Sequence, residues 1–516
     1  MAKAKIKNID SLACELKNKL NECDDGLKIG IVVGCNNLEN SYSLGLAKIV
    51  KKQVIKNGAE AEIISLPNLN ERFRTYSNSN YVLSSFKNQI SNFLELVLFD
   101  KNLDGVVFID NGLYSTLGCL IASIRLNLPT LVLPIGVSQQ KHGQNLQEVL
   151  SLPGQIANNQ KSVFEQEEQI EKFGEVVGSG ATFNTQNLFN IILEVMELAP
   201  KNSATTLAQT FEKDAQAKLC GENIVKITKN RLPLKKLINR KSINNALMLN
   251  FCLGGNPSVI NAIYELATEA EVGLDMNKIL GLVKNIPVLF NTYNGVQSYV
   301  ENGGTWALIK AMIKNKLIDG NYKTFADTTL TDETKQVKNF ENFTTPLKKE
   351  SLILMRGNVA DKYALTKTVN LPEDKTKIIT NIQVFSSDEE ACNAVLNKAV
   401  TQNSVIVIKE CGKNTQTGFS TIAQTAMALK SMDQQNNHII LTDGFVEEDI
   451  DVIAISCVCP DSESGNIKYL KDGDEIEIDF IKGKVNVEVG NREFVLRQKK
   501  YINEHRILPK YLKFSK

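Results

Sequence analysis

The first third of the chain alternates continuous apolar runs with stretches of helical periodicity. The apolar runs cover residues 28–34, 104–109 and 130–135, and a helical pattern over 115–126 separates the last two. Parallel strands that are buried on both faces show such continuous runs, and helices usually connect them. The pattern therefore predicts βαβ units, and so an α/β domain whose parallel sheet is covered on both sides.

Apolar periodicity is lost over residues 331–349, and the pattern changes beyond this polar, charged stretch. Short β-type runs follow at 352–355, 378–385, 404–408, 438–442, 452–458, 475–479 and 484–489, with helical patterns only at 388–399 and 421–430. Closely spaced strands with few helices favour a barrel. We therefore predict an α/β domain over residues 1–345 and a β-barrel-like domain with flanking helices over residues 346–516.

The composition is that of a globular protein with room for two or three domains. The 516 residues are 43% hydrophobic and 23% charged, and 59 basic against 58 acidic residues leave a net charge of +1. This balance gives no electrostatic support to a nucleic-acid or membrane-surface role. No apolar run could span a bilayer, and residues 9–20 have the pattern of an amphipathic surface helix rather than a signal peptide. We expect a cytoplasmic protein without nucleic-acid or membrane partners.

The metal-binding residue types are scattered along the chain. There are 10 cysteines without any C-x-x-C pair, and only Cys457 and Cys459 lie close together. The three histidines, His142, His438 and His505, are far apart. Such spacing does not suit a zinc site, and free cysteine is commonly a buried, reduced core residue. The pattern predicts no metal.

The segment over residues 104–129, DGVVFIDNGLYSTLGCLIASIRLNLP, resembles the signature segment of the dihydroxy-acid and 6-phosphogluconate dehydratases. Those enzymes typically have D-G-V-V-x-x-x-N-C-D-K-x-x-P-G-x-L-M-A-A-A-R-L-N-I-P there. Other family landmarks occur in the family's order: LGG at 253–255, RGNVA at 356–360, TDG at 442–444 and DGD at 472–474. The resemblance covers nearly the whole chain. The R-L-N-L-P run is more similar to dihydroxy-acid dehydratase, whereas the YNG at 293–295 leans towards phosphogluconate dehydratase.

This resemblance implies both an architecture and a reaction. The architecture is an N-terminal α/β domain, a C-terminal domain of the swivelling β/β/α type and an active site between them, commonly in a homodimer. The reaction is dehydration of a 2,3-dihydroxy acid, as in branched-chain amino-acid biosynthesis. Bound cations act as Lewis acids on the 3-hydroxyl group while a base removes the C2 proton. Family members hold an iron–sulfur cluster with three cysteines, and they also bind magnesium.

The residues at the family's cofactor positions differ in this chain. The cluster cysteines should fall at Tyr42, at Gly112 and near Ser179, and none of these is a cysteine. Leu113 and Tyr114 stand where the family has its magnesium-binding Asp and modified Lys. Iron–sulfur clusters need thiolates and magnesium needs oxygen ligands such as carboxylates. We therefore predict neither an iron–sulfur cluster nor magnesium as a cofactor.

Two further family positions leave alternatives open. Cys411 stands where the family has a magnesium-binding glutamate, although Glu410 is adjacent, and Glu447 stands at the catalytic serine. A carboxylate can act as a base, so a metal site rebuilt from Glu410, Glu447 or Asp443 is one interpretation. Charge runs are usually solvated, so our preferred interpretation is that residues 447–449 form a surface turn.

We predict a degenerate dehydratase homologue, a pseudoenzyme, that lacks the family activity. It would be retained to bind a small hydroxy acid, or to pair with a second copy or with an intact family member. An active hydro-lyase with a rebuilt metal site is the alternative, and a scaffold without any ligand is a third hypothesis. The predicted binding cleft consists of Tyr42, Asn111, Gly112, Leu113, Tyr114, Ser179, Gly254 and Gly255.

Overall fold

The computed structural model describes most of the chain. The described residues are 26–35, 37–67, 71–75, 77, 82–139, 146–173, 177–322, 324, 328–338, 343, 345–415, 418–447 and 450–504. The predicted N-terminal surface helix, His142, His505, and residues 448 and 449 of the acidic run lie outside them.

A four-stranded parallel sheet forms the centre of the N-terminal region, as predicted. Its strands are β1 (Lys28–Cys35), β2 (Glu60–Pro67), β3 (Gly105–Ile109) and β4 (Thr130–Leu133), in the order β2-β1-β3-β4. The three predicted apolar runs correspond to β1, β3 and β4. Strand β2 is an edge strand whose exposed and buried residues largely alternate, so it lacks a continuous apolar run.

Helices cover both faces of this sheet. Successive strand side chains point to opposite faces, so Ile31 and Val33 join one hydrophobic core while Val32 joins the other. The first face packs against α1 (Asn37–Lys56) and α8 (Phe211–Lys229), and the second packs against α3 (Val82–Asp100), α4 (Leu113–Arg125) and α7 (Thr185–Val195). The other helices before α8 are α2 (Glu71–Arg74), α5 (Leu146–Ala157) and α6 (Val163–Lys172).

Further helices extend the second core. They are α9 (Leu234–Leu237), α10 (Arg240–Cys252), α11 (Pro257–Glu269), α12 (Met276–Leu282), α13 (Gly295–Glu301), α14 (Gly304–Lys314) and α15 (Leu330–Thr334). The buried side chains of α10, α11 and α14 belong to the same hydrophobic cluster as those of α3 and α4. Helix α11 therefore begins inside a well-packed region, which gives its N-terminus a defined position.

An eight-stranded mixed sheet forms a nearly closed barrel in the C-terminal region, which confirms the predicted barrel-like fold with flanking helices. Its strands are β5 (Leu352–Met355), β6 (Tyr363–Lys367), β7 (Lys377–Phe385), β8 (Val405–Ile408), β10 (Ile439–Thr442), β12 (Ala454–Cys459), β13 (Glu475–Asp479) and β14 (Lys484–Val487). The order is β14-β13-β7-β8-β10-β12-β6-β5, and a bridge from Arg356 to Lys484 brings the two edges together. A Cβ atom on Gly357 would lie 1.8 Å from the Val485 carbonyl oxygen, so glycine permits this close approach.

Two short strands and three helices complete the C-terminal region. Strands β9 (Thr421–Ile422) and β11 (Phe445–Val446) pair in parallel outside the barrel sheet. The helices are α16 (Asp388–Leu396), α17 (Gln424–Ser431) and α18 (Asn491–Glu504). The predicted helix over 421–430 is thus a short strand followed by a helix. Among the described residues, no helix is both long and apolar enough to cross a membrane.

Candidate functional site

A cleft lies where β9 and β11 of the C-terminal region meet the helices of the N-terminal region. Its empty space, counted out to the mouth, is about 540 Å³. The lining residues are Glu71, Thr75, Leu113, Tyr114, Leu146, Gln147, Thr182, Asn184, Thr185, Gln186, Ser258, Thr421, Phe445 and Glu447.

Four helices of more than ten residues begin at this cleft. Leu113 and Tyr114 open α4, Leu146 and Gln147 open α5, Thr185 and Gln186 open α7, and Ser258 lies in the first turn of α11. The first backbone N–H groups of a helix have no partner within the helix, and its dipole is positive at that end. These helix N-termini therefore favour acceptor groups or negative charge in the cleft.

Glu71 supplies the acceptor for α4. Its Oε2 accepts a hydrogen bond from the Tyr114 backbone N–H at 3.0 Å, and its Oε1 accepts from the Ser115 N–H at 2.8 Å and the Ser115 hydroxyl at 2.7 Å. The N-cap residue Gly112 has no side chain for this purpose and adopts an extended backbone conformation. A Cβ atom on Gly112 would lie 2.2 Å from Ser115 Oγ and 2.4 Å from Glu71 Oε1. The Glu71 carboxylate thus occupies the space that a side chain at position 112 would need.

Burial raises the pKa of Glu71 to about 7, and the nearby charge of Asp110 adds to the shift. Hydrogen bonds from Ser115 and Tyr114 act in the opposite direction but do not cancel it. Burial also raises the pKa of Asp110, whose Oδ1 accepts from the Asn111 N–H at 2.8 Å and the Gly112 N–H at 3.3 Å. Glu71 therefore changes its charge near neutral pH.

Glu447 holds the N-terminus of α7. It is only 5% exposed, and its Oε1 accepts from the Thr185 N–H at 3.0 Å and the Thr185 hydroxyl at 2.7 Å. The same hydroxyl accepts from Asn256 Nδ2 at 3.1 Å, which links α7 to the start of α11. The interpretation of Glu447 as a solvated surface residue was therefore wrong. Charge-assisted hydrogen bonds at a helix N-terminus compensate for its burial.

Tyr114 lies against both glutamates. Burial raises the pKa of its phenol, and the charges of Glu71 and Glu447 raise it further, while a hydrogen bond with Ser258 opposes the shift. The phenol is therefore neutral at physiological pH and can donate or accept a hydrogen bond. Its neighbour Leu113 is buried in the hydrophobic core and forms an apolar part of the cleft wall.

Asn111 joins the ends of two strands rather than lining the cleft. Its Nδ2 donates to the Gly136 carbonyl oxygen at 3.0 Å, and its Oδ1 accepts from the Gly136 N–H at 3.2 Å. Its own carbonyl oxygen accepts from Asn190 Nδ2 at 3.2 Å. Both ends of the side-chain amide are used, so this residue fixes the backbone that carries Gly112 and α4.

Other predicted cleft residues lie elsewhere. Tyr42 packs against the core on the α1 and α8 face of the sheet. Ser179 is buried, and its hydroxyl donates to the Gly136 carbonyl oxygen at 3.3 Å. At the turn of Gly254 and Gly255, a Cβ atom on the second glycine would lie 2.8 Å from the Leu352 side chain. This turn lets the start of α11 approach β5, so it connects the two regions.

The carboxylates proposed for a rebuilt metal site do not converge. Asp443 is buried and accepts from the Cys411 N–H at 3.0 Å and the Ser462 N–H at 2.8 Å, and it lines a different cavity from Glu447. The Glu410 backbone N–H donates to Ser462 Oγ at 2.9 Å. Within the described ranges, no three His, Cys, Asp or Glu side chains are grouped so that they could hold a metal ion.

The most important lining residue that the sequence interpretation missed is Glu71. It lies in a polar segment without periodicity, on a helix of only four residues, so no local signal marks it. Thr185 could have been found, because Asn184 is an N-cap residue whose side chain accepts from the Asn187 N–H. Asparagine directly before an apolar-periodic stretch is a helix-start signal.

A parallel α/β layer joined to a nearly closed mixed barrel, with a cleft between them, is the architecture that the resemblance to two-domain dehydratases implied. Residues 28–333 match the family model described as dihydroxy-acid/6-phosphogluconate dehydratase N-terminal, and residues 339–515 match its C-terminal counterpart. The chain belongs to the dihydroxy-acid/6-phosphogluconate dehydratase family, whose members are hydro-lyases.

Similar proteins called dihydroxy-acid dehydratase occur in several bacteria. The protein from Campylobacter lari is 27% identical over 478 residues, which cover 88% of this chain and 84% of that protein. The Nautilia profundicola protein is 25% identical over 505 residues, covering 90% and 87%. The Hydrogenobaculum protein is 24% identical over 452 residues, covering 83% and 81%. These identities are low enough for the site chemistry to differ.

Proposed function

We propose that this chain is a degenerate member of its family, which does not carry out cluster-dependent dehydration and retains the cleft to bind a small hydroxylated ligand. The observation that carries the proposal is the filled space at Gly112. The resemblance places a cluster cysteine there. The Cβ atom of a cysteine at this position would lie 2.4 Å from Glu71 Oε1 and 2.2 Å from Ser115 Oγ, which is too close for either contact. The residues present therefore do not fit a cluster at this position.

The magnesium positions fit their ion no better. Leu113 has no donor atom and is 3% exposed within the hydrophobic core. Tyr114 has a phenol whose pKa is raised by burial, so it is not the anionic oxygen ligand that magnesium prefers. We derive no catalytic step through either cofactor, and the cleft residues are left with binding roles.

The lining of the cleft supports ligand binding. Hydroxyl and amide groups from Thr75, Gln147, Gln186 and Ser258 surround an apolar patch that includes Phe445. A few convergent polar groups around an apolar wall are typical of small-molecule sites. The proposal also includes pairing with a second copy or with an intact family member in the cytoplasm. Sedimentation of the purified protein, alone and mixed with a relative, tests this by measuring the mass of the species present.

A second candidate is an active hydro-lyase. The buried Glu447 carboxylate beside Tyr114 favours it, because a carboxylate at the cleft could act as a general base. The similar proteins called dihydroxy-acid dehydratase also favour it. The cluster cysteines and the magnesium-binding residues that the resemblance assigns are absent from this chain. An active hydro-lyase would therefore need another means of activating the leaving hydroxyl group.

A dehydration assay separates the two candidates. The protein is incubated anaerobically with iron, sulfide and magnesium, and then with 2,3-dihydroxyisovalerate or 6-phosphogluconate, beside the Campylobacter lari relative as a positive control. We expect no 2-keto acid from this chain under conditions in which the control turns over. Turnover at a rate comparable to the control would refute the proposal. A ligand-dependent rise in melting temperature would count against a scaffold that binds nothing.

A further inference from the structure

Three of the four helix N-termini at the cleft, those of α4, α7 and α11, are held by acceptors that belong to the protein. Glu71 accepts from the first turn of α4, Glu447 accepts from α7, and Asn256 Oδ1 accepts from the Val259 N–H of α11 at 2.9 Å. Helix N-termini in a site normally offer these donors to a ligand anion. Here two protein carboxylates occupy positions that the acid group of a ligand would otherwise take.

The two carboxylates act on the same part of the cleft. Burial is the first cause of the raised pKa of Tyr114, and the charges of Glu71 and Glu447 are the next two. Both negative charges therefore act on the Tyr114 phenol, although Glu71 belongs to the N-terminal region and Glu447 to the C-terminal region. A ligand carboxylate bound there would be a third negative charge beside these two glutamates, and repulsion next to protein atoms is stronger than in bulk water.

The remaining polar groups suit hydroxyl groups. Among the described lining residues, Glu71 and Glu447 are the only charged side chains. The other polar lining residues provide hydroxyl or amide groups: Thr75, Tyr114, Gln147, Thr182, Asn184, Thr185, Gln186, Ser258 and Thr421. Such groups both donate and accept hydrogen bonds, as the hydroxyl groups of a polyol do, and a carboxylate accepts readily from an alcohol.

We infer that the cleft takes an uncharged polyhydroxylated ligand, of the polyol or sugar-amide class, and disfavours the corresponding acid. This inference rests on the proposed ligand-binding function, and it replaces a hydroxy acid by its neutral counterpart as the preferred ligand. The selectivity comes from the position of Glu71 and Glu447 at the helix N-termini.

Two compounds of nearly the same shape test the inference. 2,3-Dihydroxyisovaleramide and 2,3-dihydroxyisovalerate differ mainly in charge, and calorimetric titration gives the dissociation constant of each. At low salt and about pH 8, we expect the amide to bind about tenfold or more tightly than the acid, given like-charge repulsion at short range. Tighter binding of the acid would overturn the inference while leaving the ligand-binding function intact. Binding of neither compound in the millimolar range would refute both.

The variant Glu447→Gln identifies the source of the selectivity. Glutamine keeps the oxygen that accepts from Thr185 but removes the charge. We expect the acid to bind several-fold more tightly to this variant, with little change for the amide. Glu167→Gln on the exposed surface of α6 removes the same charge away from the cleft and should change neither constant. An unchanged acid affinity in Glu447→Gln would overturn the inference.

A measurement on the unmodified protein covers the case in which the variant does not fold. Burial, together with the nearby charge of Asp110, raises the pKa of Glu71 to about 7. Lowering the pH from about 8 to about 6 therefore removes negative charge beside the cleft, while both compounds keep their charge states. We expect the preference for the amide to shrink. A preference that stays constant or grows would overturn the inference.

Discussion

Replacing Gly112 with alanine adds one methyl group at the position where the resemblance places a cluster cysteine. Gly112 has φ −64° and ψ 144°, an extended conformation that alanine adopts without strain. The methyl carbon would lie 2.2 Å from Ser115 Oγ and 2.4 Å from Glu71 Oε1. Both atoms are the ends of side chains, so they can move, but only by breaking the hydrogen bonds that join them and that cap α4.

The cost follows from those hydrogen bonds. A buried acceptor or donor that loses its partner costs about 1–3 kcal/mol, and overpacking a buried site costs a similar amount, about 1–3 kcal/mol. Alanine restricts the unfolded chain relative to glycine, which offsets about 0.4–1 kcal/mol. We therefore expect Gly112→Ala to lower the free energy of unfolding by about 3 kcal/mol overall.

Urea unfolding followed by the fluorescence of Trp306, the only tryptophan, measures this change. Gly45→Ala is the matched control, because a Cβ atom there meets nothing within 4 Å in the interior of α1. Alanine should stabilise that helix by about 0.5–1 kcal/mol. In a Glu71→Ala background, the cost of Gly112→Ala should fall, because one of the two clashes is gone.

If Gly112→Ala proves as stable as Gly45→Ala, the reasoning fails. Glu71 and Ser115 would then not fill the space beside position 112, and the steric ground for excluding a cysteine would be lost.

Two further predictions concern stability. Thr185→Val removes the hydroxyl group that hydrogen-bonds to both Glu447 and Asn256 and so joins the two regions of the chain. We expect the free energy of unfolding in urea to fall by about 1–3 kcal/mol. An unchanged unfolding midpoint would contradict this role of the hydroxyl group. Burial raises the pKa of Glu71 and Glu194 to about 7 and of Glu197 to about 8, from 4.5, so the folded state holds extra protons. Stability should therefore fall from pH 5 to pH 7. Burial lowers the pKa of His438, and lowers that of Lys213 to about 7, so these two groups oppose the three glutamates. A melting temperature that rises over this range would contradict the assignment.

Much of the fold could be predicted because burial on both faces leaves a clear trace in sequence. Strands β3 and β4 are wholly buried, and their apolar runs stand out. Strand β2 has no continuous apolar run, because exposed and less exposed residues largely alternate along it. The pattern predicts the start of a helix where the short strand β9 lies. Thr421 and Ile422 form a strand because they pair with β11, which is distant in sequence. Pairing between distant segments has no local signal.

The site was predictable only where a motif carries it. The segment containing Leu113 and Tyr114 could be placed at the cleft because it lies in the stretch over residues 104–129 that resembles the family's signature segment. Glu71 could not be placed, because its partners are 43 and 44 residues away in sequence. The role of Glu447 was missed for a related reason: its partner Thr185 is 262 residues away, and an acidic run alone indicates solvent. Long-range partners decided both cases.

Iron and acid-labile sulfide in the anaerobically reconstituted protein test the central claim most directly. The measurement is made beside the Campylobacter lari relative, prepared in the same way. Glycine at position 112 supplies no thiolate, and Glu71 and Ser115 fill the space beside it. We therefore predict iron and sulfide far below stoichiometric amounts after gel filtration, while the relative retains them. Stoichiometric iron with inorganic sulfide in this chain would contradict the account.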